Sequence, residues 1–129
     1  VLHLHGELFK VRSTVNSHLM YQWEKDLNIG DKAEDGHQLR PHIVWFGESV
    51  PAIEHAAEIC TEADILLIVG TSLQVYPAAS LVHYVPKNCA IHLIDPKTER
   101  VPGYKSVNLI SERAAVALPQ LVKQLIAEV

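Results

Sequence analysis

The 129 residues, 48% hydrophobic and 20% charged, suffice for one globular domain with a real core and are too few for two ordinary ones. A net charge of -4 and a pI near 6.0 leave no basic footprint for nucleic acid, and no apolar run exceeds Ile65 to Val69, far below the roughly 20 residues of a membrane-spanning helix. Cys60 and Cys89 are the only cysteines and lack a CxxC spacing, so neither a disulfide framework nor a cysteine zinc site is expected, and a reducing cytoplasm is the expected location.

The chain opens on Val1-Leu2-His3-Leu4, which reads as a strand entered part-way, with no initiator Met and no signal-peptide pattern; a piece of a longer chain is expected. His3 and His5 alternate with Leu2 and Leu4, a spacing that in a strand projects both imidazoles from one face, and Gly6 follows. Three readings stay open for the pair: core or hydrogen-bonded histidines, an HxH metal pair, or one general base at a strand end. From about Asn16 to Gln38 the sequence is polar and broken by Gly30 and Gly36, which predicts a solvated loop in an insertion or small subdomain. The apolar, β-prone run Ile43-Val44-Trp45-Phe46 then closes on Gly47-Glu48. It suits either a strand with aromatic core residues or an aromatic-walled groove that holds an extended peptide and sheathes an alkyl side chain.

Beyond Pro41 short apolar runs alternate with helical stretches, the pattern of a parallel α/β unit. In order these are a helix from Ile53 to Thr61, a strand from Ile65 to Val69, and a helix from Pro77 to Tyr84 with Pro at its start. Strands from Ala90 to Ile94 and from Ser106 to Leu109 follow, then a helix from Pro119 to Glu128 with Leu121, Val122, Leu125 and Ile126 on one face. Ile65 to Val69 is apolar throughout, as a parallel strand buried on both faces must be. It ends in Gly70-Thr71-Ser72, and open α/β sheets bind ligands at the carboxyl ends of their strands. There a glycine admits a phosphate close to the backbone and hydroxyls add donors, although the same residues also make an ordinary turn. Asp95, about 25 residues beyond Gly70, either holds a ribose hydroxyl as the acid of a Rossmann sheet does or opens a turn before Pro96.

In their order and separations, His5-Gly6, the block Arg40-Pro41-His42-Ile43-Val44-Trp45-Phe46-Gly47-Glu48, Ala63-Asp64 and Gly70 to Ala78 resemble the C-terminal part of the sirtuins, NAD-dependent protein-lysine deacylases. Leu8-Phe9-Lys10-Val11-Arg12 and Trp45 resemble the bacterial branch that includes desuccinylase-type members. The resemblance implies the C-terminal portion of a Rossmann-like parallel sheet with flanking helices plus a small insertion: 1–6 the strand end with the catalytic His, 7–40 the small module, 41–129 the NAD-binding part. It implies that His5 is the general base, that Gly70, Thr71 and Ser72 contact the NAD phosphates and ribose, and that Asp95 lies by the adenosine end. Val44 would offer its carbonyl to the acyl-lysine nitrogen and Phe46, beside Trp45, would wall the lysine channel. Gly47, Glu48, Gln74, Val75 and Tyr76 would pair with the substrate backbone. The implied reaction begins when the acyl oxygen attacks the nicotinamide ribose carbon and nicotinamide leaves. The imidate so formed is attacked by a ribose hydroxyl whose proton a neutral imidazole takes, and hydrolysis then gives free lysine and an O-acyl-ADP-ribose.

Three features depart from the family pattern. The sirtuins usually carry four cysteines binding a structural zinc in the small module, and residues 7–40 contain none; no zinc is expected, with Leu19, Tyr21, Trp23 and Leu27 as candidate core. Leu93 stands where many members place an Asn. The first half of the NAD fold, with its Gly-Ala-Gly and Gln-Asn-x-Asp blocks, does not occur in these residues, so the isolated chain is expected to be inactive and to self-associate through an exposed sheet edge. Readings of other classes are a non-catalytic NAD or ADP-ribose binding module, a metal-dependent hydrolase using His3 and His5, and a structural oligomerisation domain.

Overall fold

The computed structural model describes residues 1–97, 101, 103 and 106–127, in two units, Val1–Ala52 and Ile53–Val129. In the first, β1 (Gly6–Ser13) lies between β2 (Met20–Gln22) and β3 (Leu39–Ile43), antiparallel to both. Strand alternation sends Val11 and Ser13 to a buried face and leaves Lys10 and Arg12 on the other. Val11, Ala33 and Leu39 form a core covered by Leu19, Tyr21, Trp23 and Leu27, the four residues expected to hold this module together. Pro41 falls on the edge strand β3, where a missing amide costs no ladder bond.

Hydrogen bonding, not solvation, organises much of the polar stretch expected to be loop. The Ser13 hydroxyl, 2% exposed, donates to Asp35 at 2.6 Å and accepts from the amides of Val15 and Asn16. It ties β1 to the Gly36 turn. The Gln38 side chain accepts from the Gly30 amide and donates to the Asn28 carbonyl, closing the loop between them. The Ser13 hydroxyl, followed by the His37 amide, holds the Asp35 carboxyl below the usual carboxylate range.

The strand expected over Val1 to Leu4 is absent. A strand needs a ladder partner and these residues have none among the described ones; the chain turns instead, Gly6 N donating to His3 O at 3.2 Å.

In the second unit, α1 (Ile53–Thr61), β4 (Ile65–Val69) and β5 (Ala90–Ile94) have the expected bounds, and β6 (Val107–Ile110) is displaced by one residue. The strands are parallel in the order β4-β5-β6, with Ile91 opposite Leu66 and Val107. Alternation along β5 divides the core. Ile91 and Leu93 pack with Ile68, Val82, Cys89 and Val101 on one face; Ile94 packs with Ala117 and Leu121 on the other. Leu93 and Ile94 are 1% and 0% exposed, and burying each contributes roughly 1.5–3 kcal/mol. The stretch expected as a helix from Pro77 is a 3₁₀ helix, Ala78–Tyr84, with Pro77 as its N-cap.

The last helix, α2 (Ala114–Ala127), begins five residues before the expected start, so Pro119 lies inside it. Arg113 O accepts from the amides of Val116 and Ala117, starting the helix upstream of the proline. Proline signals a start only when nothing earlier nucleates the turn, and here Ala117 is drawn into the core. The buried face accordingly runs Ala117, Leu118, Leu121, Leu125; Ile126, expected on it, is 71% exposed. The expected end at Glu128 lies outside the described residues. Among the described residues β4 pairs only with β5, leaving its other edge open, as expected.

Candidate functional site

Gly6 has φ +95, and a Cβ placed on it would stand 1.9 Å from the His42 carbonyl oxygen. Only glycine allows β1 to start this close to β3. Directly before it, the His5 carbonyl accepts from the Val44 amide at 2.9 Å, which leaves the exposed His5 side chain on a backbone stitched to the Val44 to Glu48 segment. His3 does not share a strand face with His5, since no strand forms there. Its Nε2 lies 3.8 Å from Glu7 Oε1, and Glu7 bonds Lys10 at 2.7 Å, which with charges including His3 and His42 lowers its carboxyl pKa. No three His, Cys, Asp or Glu side chains converge to hold a metal ion among the described residues.

The reading of Trp45 and Phe46 as core aromatics is overturned. β3 stops at Ile43, and the two rings are 54% and 97% exposed. A turn carries them outward: Glu48 N donates to Trp45 O at 3.0 Å, and Gly47 takes φ +88, a left-handed value that resists a side chain. The Glu48 carboxylate in turn accepts from the Trp45 amide at 3.0 Å and from the Arg40 guanidinium twice, at 2.6 and 3.1 Å. These contacts, Arg40 foremost, hold its carboxyl low. The turn is thus locked by an ion pair while its aromatic rings stand in solvent.

In the second unit, Gly70 follows β4 with φ +65 and empty space where a Cβ would point; its amide donates to the Ile94 carbonyl at 2.9 Å. Asp95 follows β5, and the register Val69 opposite Ile94 therefore sets Gly70 and Asp95 side by side at the carboxyl edge of the sheet. The Thr71 hydroxyl accepts from the Leu73 amide at 3.2 Å, and Leu73, at φ 54, is held in that left-handed conformation by its side chain packed on the core. Asp95 Oδ1 accepts from Lys97 N at 2.8 Å, so the acid does open a turn before Pro96. Ser72, Gln74, Val75 and Tyr76 are exposed along the same loop. Leu93, packed in the core, turns away from any ligand at this edge. The open cradle at Gly70 and the adjacent acid suit a phosphate and a ribose hydroxyl.

The structure therefore brings His5 beside Val44, and Gly70 beside Asp95. It also shows a pair that motif reading passed over. Arg12 and Arg40 are cross-strand partners in the β1–β3 ladder, with Glu48 reaching both, at 3.8 Å and 2.6 Å. The pairing depends on register, which a motif does not display.

Comparison with known proteins matches residues 1–77 to the Sir2 family. An NAD-dependent protein deacylase of Helicobacter pylori is 51% identical over 126 residues, 98% of this chain and 55% of that protein. A Bacteroides thetaiotaomicron protein of the same name is 46% identical over 132 residues, 98% of this chain and 56% of that protein. Among solved structures, a Sir2 homolog in complex with NAD superposes with a TM-score of 0.81 at 32% identity, covering 99% of this chain and 52% of that one. The chain thus spans about half the length of the curated relatives it matches.

Proposed function

The chain belongs to the Sir2 family, and from that premise we propose that the intact protein is an NAD-dependent protein-lysine deacylase, releasing nicotinamide, O-acyl-ADP-ribose and free lysine. The observation that carries the reading is the bond from Val44 N to His5 O beside a glycine that has no room for a side chain. It sets an imidazole at the head of the segment proposed to hold the acyl-lysine peptide. Val44 offers its carbonyl to the acyl-lysine nitrogen, Trp45 and Phe46 sheathe the alkyl chain, and Gly47, Glu48, Gln74, Val75 and Tyr76 pair with the substrate backbone. Gly70, Thr71 and Ser72 receive the NAD phosphates and ribose, and Asp95 the adenosine end. Bound NAD supplies a ribose carbon from which nicotinamide departs. His5 takes the proton of a ribose hydroxyl, a role open to an exposed imidazole.

Support comes from the two deacylase relatives, from the NAD-bound homolog and from the exposed aromatic turn. A reducing cytoplasm is the location we propose, with free Cys60 and Cys89 whose thiol pKa values burial pushes up. The test is nicotinamide release by the intact protein from NAD and an acetyl- or succinyl-lysine peptide. His5→Ala is expected to slow it by at least about 100-fold while leaving the melting temperature unchanged, because the side chain is exposed. Undiminished turnover by that variant would exclude His5 as the base. Binding of NAD without turnover by the unmodified protein would favour the non-catalytic module.

A further inference from the structure

Beside the aromatic turn lies a cleft of about 380 Å³, lined by residues of the first unit alone, among them Arg12, Thr14, Ser17, Arg40, Glu48 and Ser49. Its charge arrangement is unbalanced. Arg12 and Arg40 face each other directly across the β1–β3 ladder, where like charges repel. Glu48 bridges them unevenly: Arg40 takes both carboxylate oxygens at 2.6 and 3.1 Å and the Ile43 carbonyl at 3.3 Å. Arg12 keeps a single contact with Glu48, at 3.8 Å. Its side chain is only 14% exposed, so water satisfies little of a guanidinium that carries five N–H donors. Two cations against one anion leave the cleft with a surplus positive charge. Thr14, Ser17 and Ser49, all exposed, add hydroxyls to its wall.

We infer that this cleft is an anion subsite that receives an acidic side chain of the substrate polypeptide, an Asp or Glu close in sequence to the acyl-lysine. The inference rests on the deacylase reading and adds a sequence preference to it. Glu48 joins the two features: its carboxylate lines the cleft, and its backbone ends the turn that presents Trp45 and Phe46. A peptide running along that turn passes the cleft mouth, and an extended chain advances about 3.3 Å per residue, so neighbours of the acyl-lysine come within reach of the Arg12 guanidinium. A carboxylate there gains a charge-assisted pair with a largely desolvated arginine and relieves the repulsion between Arg12 and Arg40.

The intact protein is given acetyl-lysine peptides with Glu or isosteric Gln at each of the three positions on either side of the lysine, and kcat/KM is measured for each. At one or two positions Glu is expected to exceed Gln about fivefold, through KM, with the ratio falling as salt is raised. Arg12→Gln should bring that ratio to one while turnover of the Gln peptides persists. Equal kcat/KM for Glu and Gln at every position, with both peptides turned over, overturns the subsite and leaves the deacylase reading standing; this arm needs no variant. A Glu preference that survives Arg12→Gln also overturns it. Failure of the unmodified protein to process any peptide removes the deacylase reading, and the subsite with it.

Discussion

Replacing Gly6 by alanine is the sharpest single perturbation the structure offers. Two costs add. A side chain at φ +95 pays the left-handed penalty, roughly 1–2 kcal/mol. The new Cβ also starts 1.9 Å from the His42 carbonyl oxygen, a backbone atom that cannot swing aside, so β1 and β3 must part. Separation strains or breaks the bond from Val44 N to His5 O, about 1 kcal/mol, and loosens the pairing of Gly6 with Ile43. The total is at least about 3 kcal/mol, or roughly 6–12 °C in Tm for a protein of the relatives' length. Gly36→Ala is the control, since Gly36 has φ +78 but nothing within 4 Å of its missing Cβ, and only the first cost applies. Thermal unfolding of both variants in the intact protein, with nicotinamide release measured alongside, separates clash from conformation. Gly6→Ala should also lose activity, because His5 moves. A Gly6→Ala protein no less stable than Gly36→Ala, with full turnover, would refute the close-crossing argument.

Other expectations concern stability and association. Ser13→Ala removes a buried hydroxyl with three hydrogen bonds and should cost about 1–2 kcal/mol in urea unfolding; no change would mean that the small module is held by its apolar core alone. Because the folded Asp35 carboxyl titrates below its ordinary value, its contribution is full above the ordinary Asp pKa and is lost as pH falls through the depressed folded value. Asp35→Asn should therefore lower Tm at pH 7, with the deficit shrinking as the buffer is acidified below about pH 4. Pro119→Ala restores an amide inside α2 and should stabilise by about 1–2 kcal/mol, read by thermal unfolding. The 129 residues by themselves are expected to self-associate through the open edge of β4, where Ile65 is 45% exposed, and Ile65→Lys should shift their sedimentation toward monomer.

Local chemistry was legible in the sequence wherever one residue type answers one physical demand. The unbroken apolar run of β4 reads as a parallel strand, and its bounds and those of α1 and β5 were readable to the residue, although Ile65 and Val69 at its ends are exposed rather than covered on both faces. The order of His5-Gly6, the Arg40 to Glu48 block and Gly70-Thr71-Ser72 is by itself enough to show the likeness to the sirtuins. Leu19, Tyr21, Trp23 and Leu27 stood out as the apolar members of a polar stretch and form the core cover there.

What stayed hidden depends on partners distant along the chain. Val1 to Leu4 has strand-like alternation, yet a strand exists only where a neighbour supplies its ladder. Trp45 and Phe46 resemble core residues by hydrophobicity, and only the Gly47 turn shows that they point into solvent. Pro119 reads as a helix start locally, whereas burial of Ala117 draws the helix upstream of it. The facing of Arg12 and Arg40 is a matter of register between two strands 28 positions apart along the chain, counted from 12 to 40. Sequence determines which groups are available; the sheet register decides which charges meet, and so where two cations share one anion.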